Sequence, residues 1–170
     1  AEIAHRCPIL YKLLNNSGYY QSVQNKYVDF DTLPLCIPVV SVIVYRIKQN
    51  KTEILMQIRY KPSIDPVYSG LFEIPSGIIN KYEYAPDAAI SEVKEETGLD
   101  VSISGLKDLI KINCDNNDLV VSYQPFCCNQ QLMGGRSYLS VVFLCEYKKG
   151  ELSEAILESR IPRWLSISEV

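Results

Sequence analysis

Four glutamates at fixed distances are the residues of this chain best suited to do chemistry. Glu92, Glu95 and Glu96 lie within five residues, and Glu83 precedes them by nine. Pro86 and Asp87 stand before the acidic run and Gly98 follows it. Proline is at home in the first turn of a helix, aspartate favours the positive end of the helix dipole, and glycine takes the left-handed conformation that ends one. The spacing therefore predicts a helix from about Pro86 to Gly98, and residues three and four apart would set Glu92, Glu95 and Glu96 on one face. Ala88, Ala89 and Val93 leave an apolar stripe for packing. Three carboxylates on one face repel each other, and two readings explain them. One is a solvated acidic surface. The other is a nest of hard oxygen ligands for magnesium, which prefers a few carboxylates together with water and substrate phosphate.

The loop before the helix favours the second. Gly77 heads it and Glu83 follows, so the stretch 77–99 reads Gly, five residues, Glu, eight residues, then Glu92-Val93-Lys94-Glu95-Glu96-Thr97-Gly98-Leu99. This resembles the Nudix box, with eight of its nine specified positions in register over 23 residues, which is too many for a chance acidic helix. The departure is Ser91, where the family carries an arginine that braces the glutamates through charge-assisted hydrogen bonds. Two sequences upstream match one branch of the family. Gln57-Ile58-Arg59-Tyr60 resembles the Gln-x-Arg segment of ADP-ribose and nucleotide-sugar pyrophosphatases, and Glu73-Ile74-Pro75-Ser76-Gly77 is similar to that branch's entry into the box.

The resemblance implies a Mg²⁺-dependent hydrolase, with Mn²⁺ as a substitute ion, that cleaves the pyrophosphate bond of a nucleoside diphosphate joined to a second moiety. It implies Ser76 (through its carbonyl), Glu92, Glu95 and Glu96 as metal ligands, and Glu95 and Glu92 as the catalytic carboxylates. Arg59, Glu73, Tyr60, Phe72 and Arg136 are the expected substrate contacts. An arginine offers a planar, permanently charged fork for phosphate or ribose, and the glycines of Leu132-Met133-Gly134-Gly135-Arg136 permit close approach of backbone to ligand. A homodimer is implied by the same branch. No acidic residue falls between Pro125 and Tyr138, where some ADP-ribose pyrophosphatases carry a loop glutamate as base; Gln130 and Gln131 stand there instead. With Ser91, this leaves a second function open: a Nudix domain that binds such a nucleotide as a sensor or interaction module with little turnover.

The elements that must position these residues read as a Nudix-like α/β/α sandwich with a mixed β-sheet. Residues 39–45 (Val-Val-Ser-Val-Ile-Val-Tyr) form a β-branched run, and residues 53–60 return as a second strand after the turn at Gln49-Asn50-Lys51. A short strand is expected in 70–74, one or two in 101–113, and others at 119–123 and 138–147. The last is a continuous apolar run suited to the centre of the sheet. Helical spacing marks 152–159, and 164–170 reads as a closing strand. Residues 1–37 read as an N-terminal extension, with a weak edge strand at 26–33, and 38–170 as the hydrolase domain.

The chain has 170 residues, ample for one domain with a full core. Its formal net charge of −3 gives no electrostatic case for nucleic-acid or membrane partners, its longest apolar runs are too short to span a bilayer, and no signal peptide is legible. Six cysteines occur without a Cys-x-x-Cys pair, and His5 is the only histidine, which argues against zinc. Cys36 and Cys145 lie in apolar segments that read as core. Reduced thiols and a cytoplasmic setting are the expectation.

Overall fold

Ten strands and one helix are seen in the computed structural model, which describes residues 36–63, 65–106, 110–113, 119–131, 137–153 and 159–170. In chain order they are β1 (Ile37–Lys48), β2 (Lys51–Arg59), β3 (Phe72–Glu73), β4 (Ser76–Ile78), α1 (Ala85–Thr97), β5 (Asp100–Ile103), β6 (Ile110–Asn113), β7 (Leu119–Ser122), β8 (Cys127–Gln130), β9 (Tyr138–Lys149) and β10 (Ser159–Ser166). Eight strands make a mixed sheet whose main path runs β10-β2-β1-β9-β5, with β3 added to β2, β4 to β1 and β8 to β9. The strands β6 and β7 pair as a separate hairpin.

The centre follows from the β-branched runs. Val40, Val42 and Val44 of β1 alternate inward and are fully buried, and the parallel pairing of β1 with β9 sets Val42 opposite Phe143, also fully buried. As its apolar run suggested, β9 lies inside the sheet, between β1 and β5. The β1–β2 connection is a two-residue turn in which Gln49 and Asn50 both take positive φ, 51° and 59°. Such turns match the strand twist, and asparagine accepts the left-handed conformation more readily than most residues.

The helix α1 covers this centre. Ala88, Ala89 and Val93 join Val40, Val42, Val44, Leu55 and Phe143 in one apolar cluster, so the stripe read from the sequence is the packed face. Gly98 ends the helix at φ 76°, donating its N–H to the Lys94 carbonyl at 2.9 Å. The Lys94 ammonium returns to the Gly98 carbonyl at 3.0 Å and to Asp100 at 2.9 Å. That places a cation at the negative end of the helix dipole. A methyl group at position 98 would also meet Ser153 Oγ at 2.5 Å and the Glu151 carbonyl at 3.0 Å. Gly98→Ala is expected to cost about 1–2 kcal/mol, chiefly the left-handed conformation, and urea denaturation would measure it.

Several details depart from the sequence reading. The closing strand begins earlier than residue 164: β10 starts at Ser159 and pairs with β2 through an irregularity between Arg160 and Arg163. The strand β8 falls where only loop was read. Cys36, expected in the core, is exposed at the edge of β1, and its sulfur accepts a hydrogen bond from Ser137 Oγ at 3.6 Å. Cys145 is buried as expected, and burial pushes its thiol up to about 12. Of the extension read at 1–37, residues 1–35 with the edge strand lie outside the described residues and Ile37 already belongs to β1; most of the helix read at 152–159 also lies outside them.

Candidate active site

Two carboxylates one turn apart on α1 lie against two consecutive residues of β4. The Glu92 carboxylate sits where a Cβ on Gly77 would stand, and Glu96 Oε2 accepts the Ser76 backbone N–H at 3.3 Å. This contact explains the glycine: Gly77 pairs with Val40 in the sheet on one side and has room only for the carboxylate on the other. Glu95, three residues from Glu92, is exposed on the same end of the helix.

The neighbouring strand β2 supplies the rest. Gln57 is 1% exposed and donates from Nε2 to Glu96 Oε2 at 2.7 Å. Across the sheet Gln57 pairs with Glu73. Glu73 accepts from Arg59 Nη1 at 2.9 Å, while Arg59 Nε and Nη2 both reach Asp65 Oδ2 at 2.8 Å. Burial opposes the Arg59 charge, but its bonds to Glu73 and Asp65 outweigh that and raise its pKa above the ordinary value. The guanidinium is thus clamped between two carboxylates, with its loop returned by bonds from Gly70 N to Arg59 O and from Arg59 N to Leu71 O.

Glu96 is the perturbed group. Burial raises its pKa from an ordinary 4.5 to about 7, and the charges of Glu92 and Glu73 push the same way against the lowering effect of the Gln57 and Ser76 hydrogen bonds. A carboxyl held near neutrality by burial and by like charges is the pattern expected where a cation is to be received. Among the described residues no three histidine, cysteine or acidic side chains close round one point. Magnesium asks for fewer, since it keeps several waters and takes one or two carboxylates. The pair Glu92–Glu96 meets that requirement. Beside that pair Gln57 holds a buried oxygen, Oε1, to which no described protein group donates.

The other positions are placed as follows. Ser91 is exposed, and Lys94 does not stand in for the missing arginine, being engaged at the helix end by Asp100 and the Gly98 carbonyl. Glu83 accepts from the backbone and side chain of Asn80, at 2.8 and 3.0 Å, and so stiffens the loop. Phe72 precedes Glu73 in β3, so strand alternation turns it to the opposite face, where the Arg163 guanidinium covers its ring at 4.7 Å. Tyr60 is exposed just past β2. Arg136 and its glycines lie outside the described residues. Gln57 and Asp65 are members without an expected role. Gln57 stood in the sequence only as the head of the Gln-x-Arg segment, a polar residue inside an apolar strand; for Asp65, set in a turn, there was no signal.

Comparison with known proteins gives the family. The model of the NUDIX domain family matches residues 37–170. The chain belongs to the Nudix family. A stretch of 59 residues is 41% identical to Nudix hydrolase 8 of Arabidopsis thaliana, spanning 34% of this chain and 15% of that protein. Among solved structures, a NUDIX-family hydrolase from Clostridium perfringens superposes with a TM-score of 0.55 at 25% identity, covering 79% of this chain and 84% of that one. The NUDIX domain of Shewanella oneidensis NrtR, solved in complex with ADP ribose, superposes at 0.59 with 11% identity, covering 88% and 84%. At that identity the second shows shared fold alone. Nudix hydrolases are pyrophosphohydrolases of nucleoside diphosphate derivatives that generally use divalent metal ions, and the mixed sheet with α1 is the α/β fold of that family. No helix among the described residues is long and apolar enough to cross a membrane.

Proposed function

We propose that the Nudix domain hydrolyses the pyrophosphate bond of ADP-ribose or a nucleotide sugar with Mg²⁺ as the preferred ion. The observation that carries this reading is the meeting of the box pair Glu92–Glu96 with the Gln57–Arg59–Glu73 group of the branch that takes such substrates. Glu92, Glu96, Glu95 and the Ser76 carbonyl would hold the ion, which when bound polarises the phosphates and lowers the pKa of an attacking water. Glu92 and Glu95 would be the carboxylates that take or steady a proton of the attacking water. Arg59, pre-oriented by Asp65 and Glu73, would face a phosphate or ribose oxygen, with Tyr60 beside it. Phe72, already stacked under Arg163 on the other face, is left out of this set. The cytoplasm is the proposed setting, supported by the free thiols of Cys36, Cys127, Cys128 and Cys145, and a homodimer the proposed assembly.

A panel of ADP-ribose, nucleotide sugars, dinucleotides and oxidised nucleotides, assayed with Mg²⁺ or Mn²⁺ by phosphate detection, tests this directly. Turnover concentrated on the first two classes is the expected result. Arg59→Lys should raise KM about tenfold with a smaller change in kcat, because a point charge cannot keep the forked contacts; an unchanged KM would remove Arg59 from the substrate site.

A specific observation favours a second reading. With Ser91 exposed and Lys94 committed to Asp100, no cation braces the box glutamates from those positions. Loss of such a brace costs about 10–100-fold in metal affinity or activity, which suits a domain that binds its nucleotide and releases it uncleaved. Saturable binding by calorimetry, without product in either metal, would establish that reading over the enzyme.

A further inference from the structure

We propose that Gln57 is a positioning residue for the metal: its amide nitrogen fixes the Glu96 carboxylate and its amide oxygen accepts a hydrogen bond from a water on the bound cation. This rests on the reading of Glu92 and Glu96 as metal ligands. Gln57 lies near the end of β2 directly after Leu55 and Met56, all three buried. Burying a primary amide is costly unless both ends find partners, and an apolar side chain of similar volume would fill the same space without that cost. Only one end has a partner. Nε2 donates to Glu96 Oε2 at 2.7 Å, and Oε1 is buried with no donor from any described group.

The chemistry of the pair fixes which end is which. A Glu96 that ligates a cation is ionised and only accepts, so in that state the amide turns its NH₂ toward Glu96, as the 2.7 Å bond has it, and its oxygen away. The charged groups nearest this pair are acidic: Glu73 is the strand partner of Gln57, and the charges of both Glu92 and Glu73 act on Glu96. Neither carboxylate, when ionised, can donate to Oε1. Water on a divalent cation can, and it would complete the amide's second end. Magnesium retains such waters when it binds through a few carboxylates, and partners beyond the direct ligands commonly set metal affinity.

Mn²⁺ titration followed by electron paramagnetic resonance, without substrate, tests the proposal on the wild type, Gln57→Met and Glu96→Gln. Thermal melts of each, in chelator and in saturating Mn²⁺, accompany it. Gln57→Met keeps the volume and removes both polar ends. It should bind Mn²⁺ about 10–100-fold more weakly, melt no lower than the wild type in chelator, and lose most of its Mn²⁺-induced rise in melting temperature. Gln57→Asn, which keeps the amide but withdraws it by one methylene, should show the same weakening and serves if the methionine variant does not fold. Unchanged Mn²⁺ affinity in the Gln57 variants, with loss in Glu96→Gln, would overturn the role of Gln57 and leave the metal site standing. A wild type that binds no Mn²⁺ would overturn the metal reading itself.

Discussion

Glu96→Gln is expected to lower kcat/KM by roughly 10²–10³-fold, the range for losing one preorganised electrostatic group in a dry site, while making the metal-free protein more stable above neutral pH. Both effects come from the same position. Glu96 sits between Gln57, Ser76 and two further carboxylates, and burial raises its pKa from 4.5 to about 7. A group whose folded pKa is raised contributes stability that is fully present below its unfolded pKa, here 4.5, and lost as pH rises through about 7. In chelator the wild type should therefore lose about 2 kcal/mol of stability between roughly pH 5.5 and 8, at 1.36 kcal/mol per pKa unit. The glutamine variant is neutral throughout and should lack that slope. Urea melts at the two pH values read it, and parallel slopes for the two proteins would show that Glu96 does not titrate in this window. Added Mg²⁺ reverses the order, since it stabilises the ionised carboxylate of the wild type and has less to hold in the variant.

How much of this was legible beforehand varies with the physical origin of each feature. The hairpin of β1 and β2, the central β9 and the helix α1 were readable because local pattern and tertiary role agree. Val40, Val42 and Val44 alternate inward, Phe143 lies in an apolar run, and Pro86 and Gly98 bracket α1. The strand β8 was not readable. Cys127, Cys128, Asn129 and Gln130 are all exposed, so no period-two pattern exists, and the strand forms because β5 pairs with β9 only from Cys145 onward, which leaves the first half of β9 open, with Cys127 opposite Val142. The early start of β10 was hidden by Pro162 and by the irregular pairing between Arg160 and Arg163.

The site divides in the same way. Spacing alone brought Glu92 and Glu96 to one helix face, since a helix repeats its faces every three to four residues. What lies opposite them depends on strand pairing across long sequence separations. Gln57 is 39 residues from Glu96, and only the register of β2 against β3 reveals that it also faces Glu73. Lys94 could have been taken as a brace for the glutamates by proximity in sequence; its bond to Asp100 shows the helix end claiming it.

Gly77→Ala is expected to leave the fold nearly intact and to impair the site, a separation few substitutions offer. Gly77 does not need its glycine for backbone conformation, because it is absent from the positive-φ positions of the chain. It needs it for space: an added methyl group would fall inside the Glu92 carboxylate. The backbone cannot retreat, since β4 is held against β1 with Gly77 opposite Val40. The carboxylate can, because it is the end of a flexible side chain on the face of α1. The displaced group is thus Glu92, and melting in chelator should shift by no more than a surface substitution would, about 0.5 kcal/mol. With Glu92 turned away, Mn²⁺ affinity and kcat/KM should each fall by about 10–100-fold. Gly77→Ser should behave in the same way, since the obstacle is the Cβ itself. Wild-type metal affinity in Gly77→Ala would mean that Glu92 holds the cation from a different position, and that the close approach of α1 to β4 is packing alone.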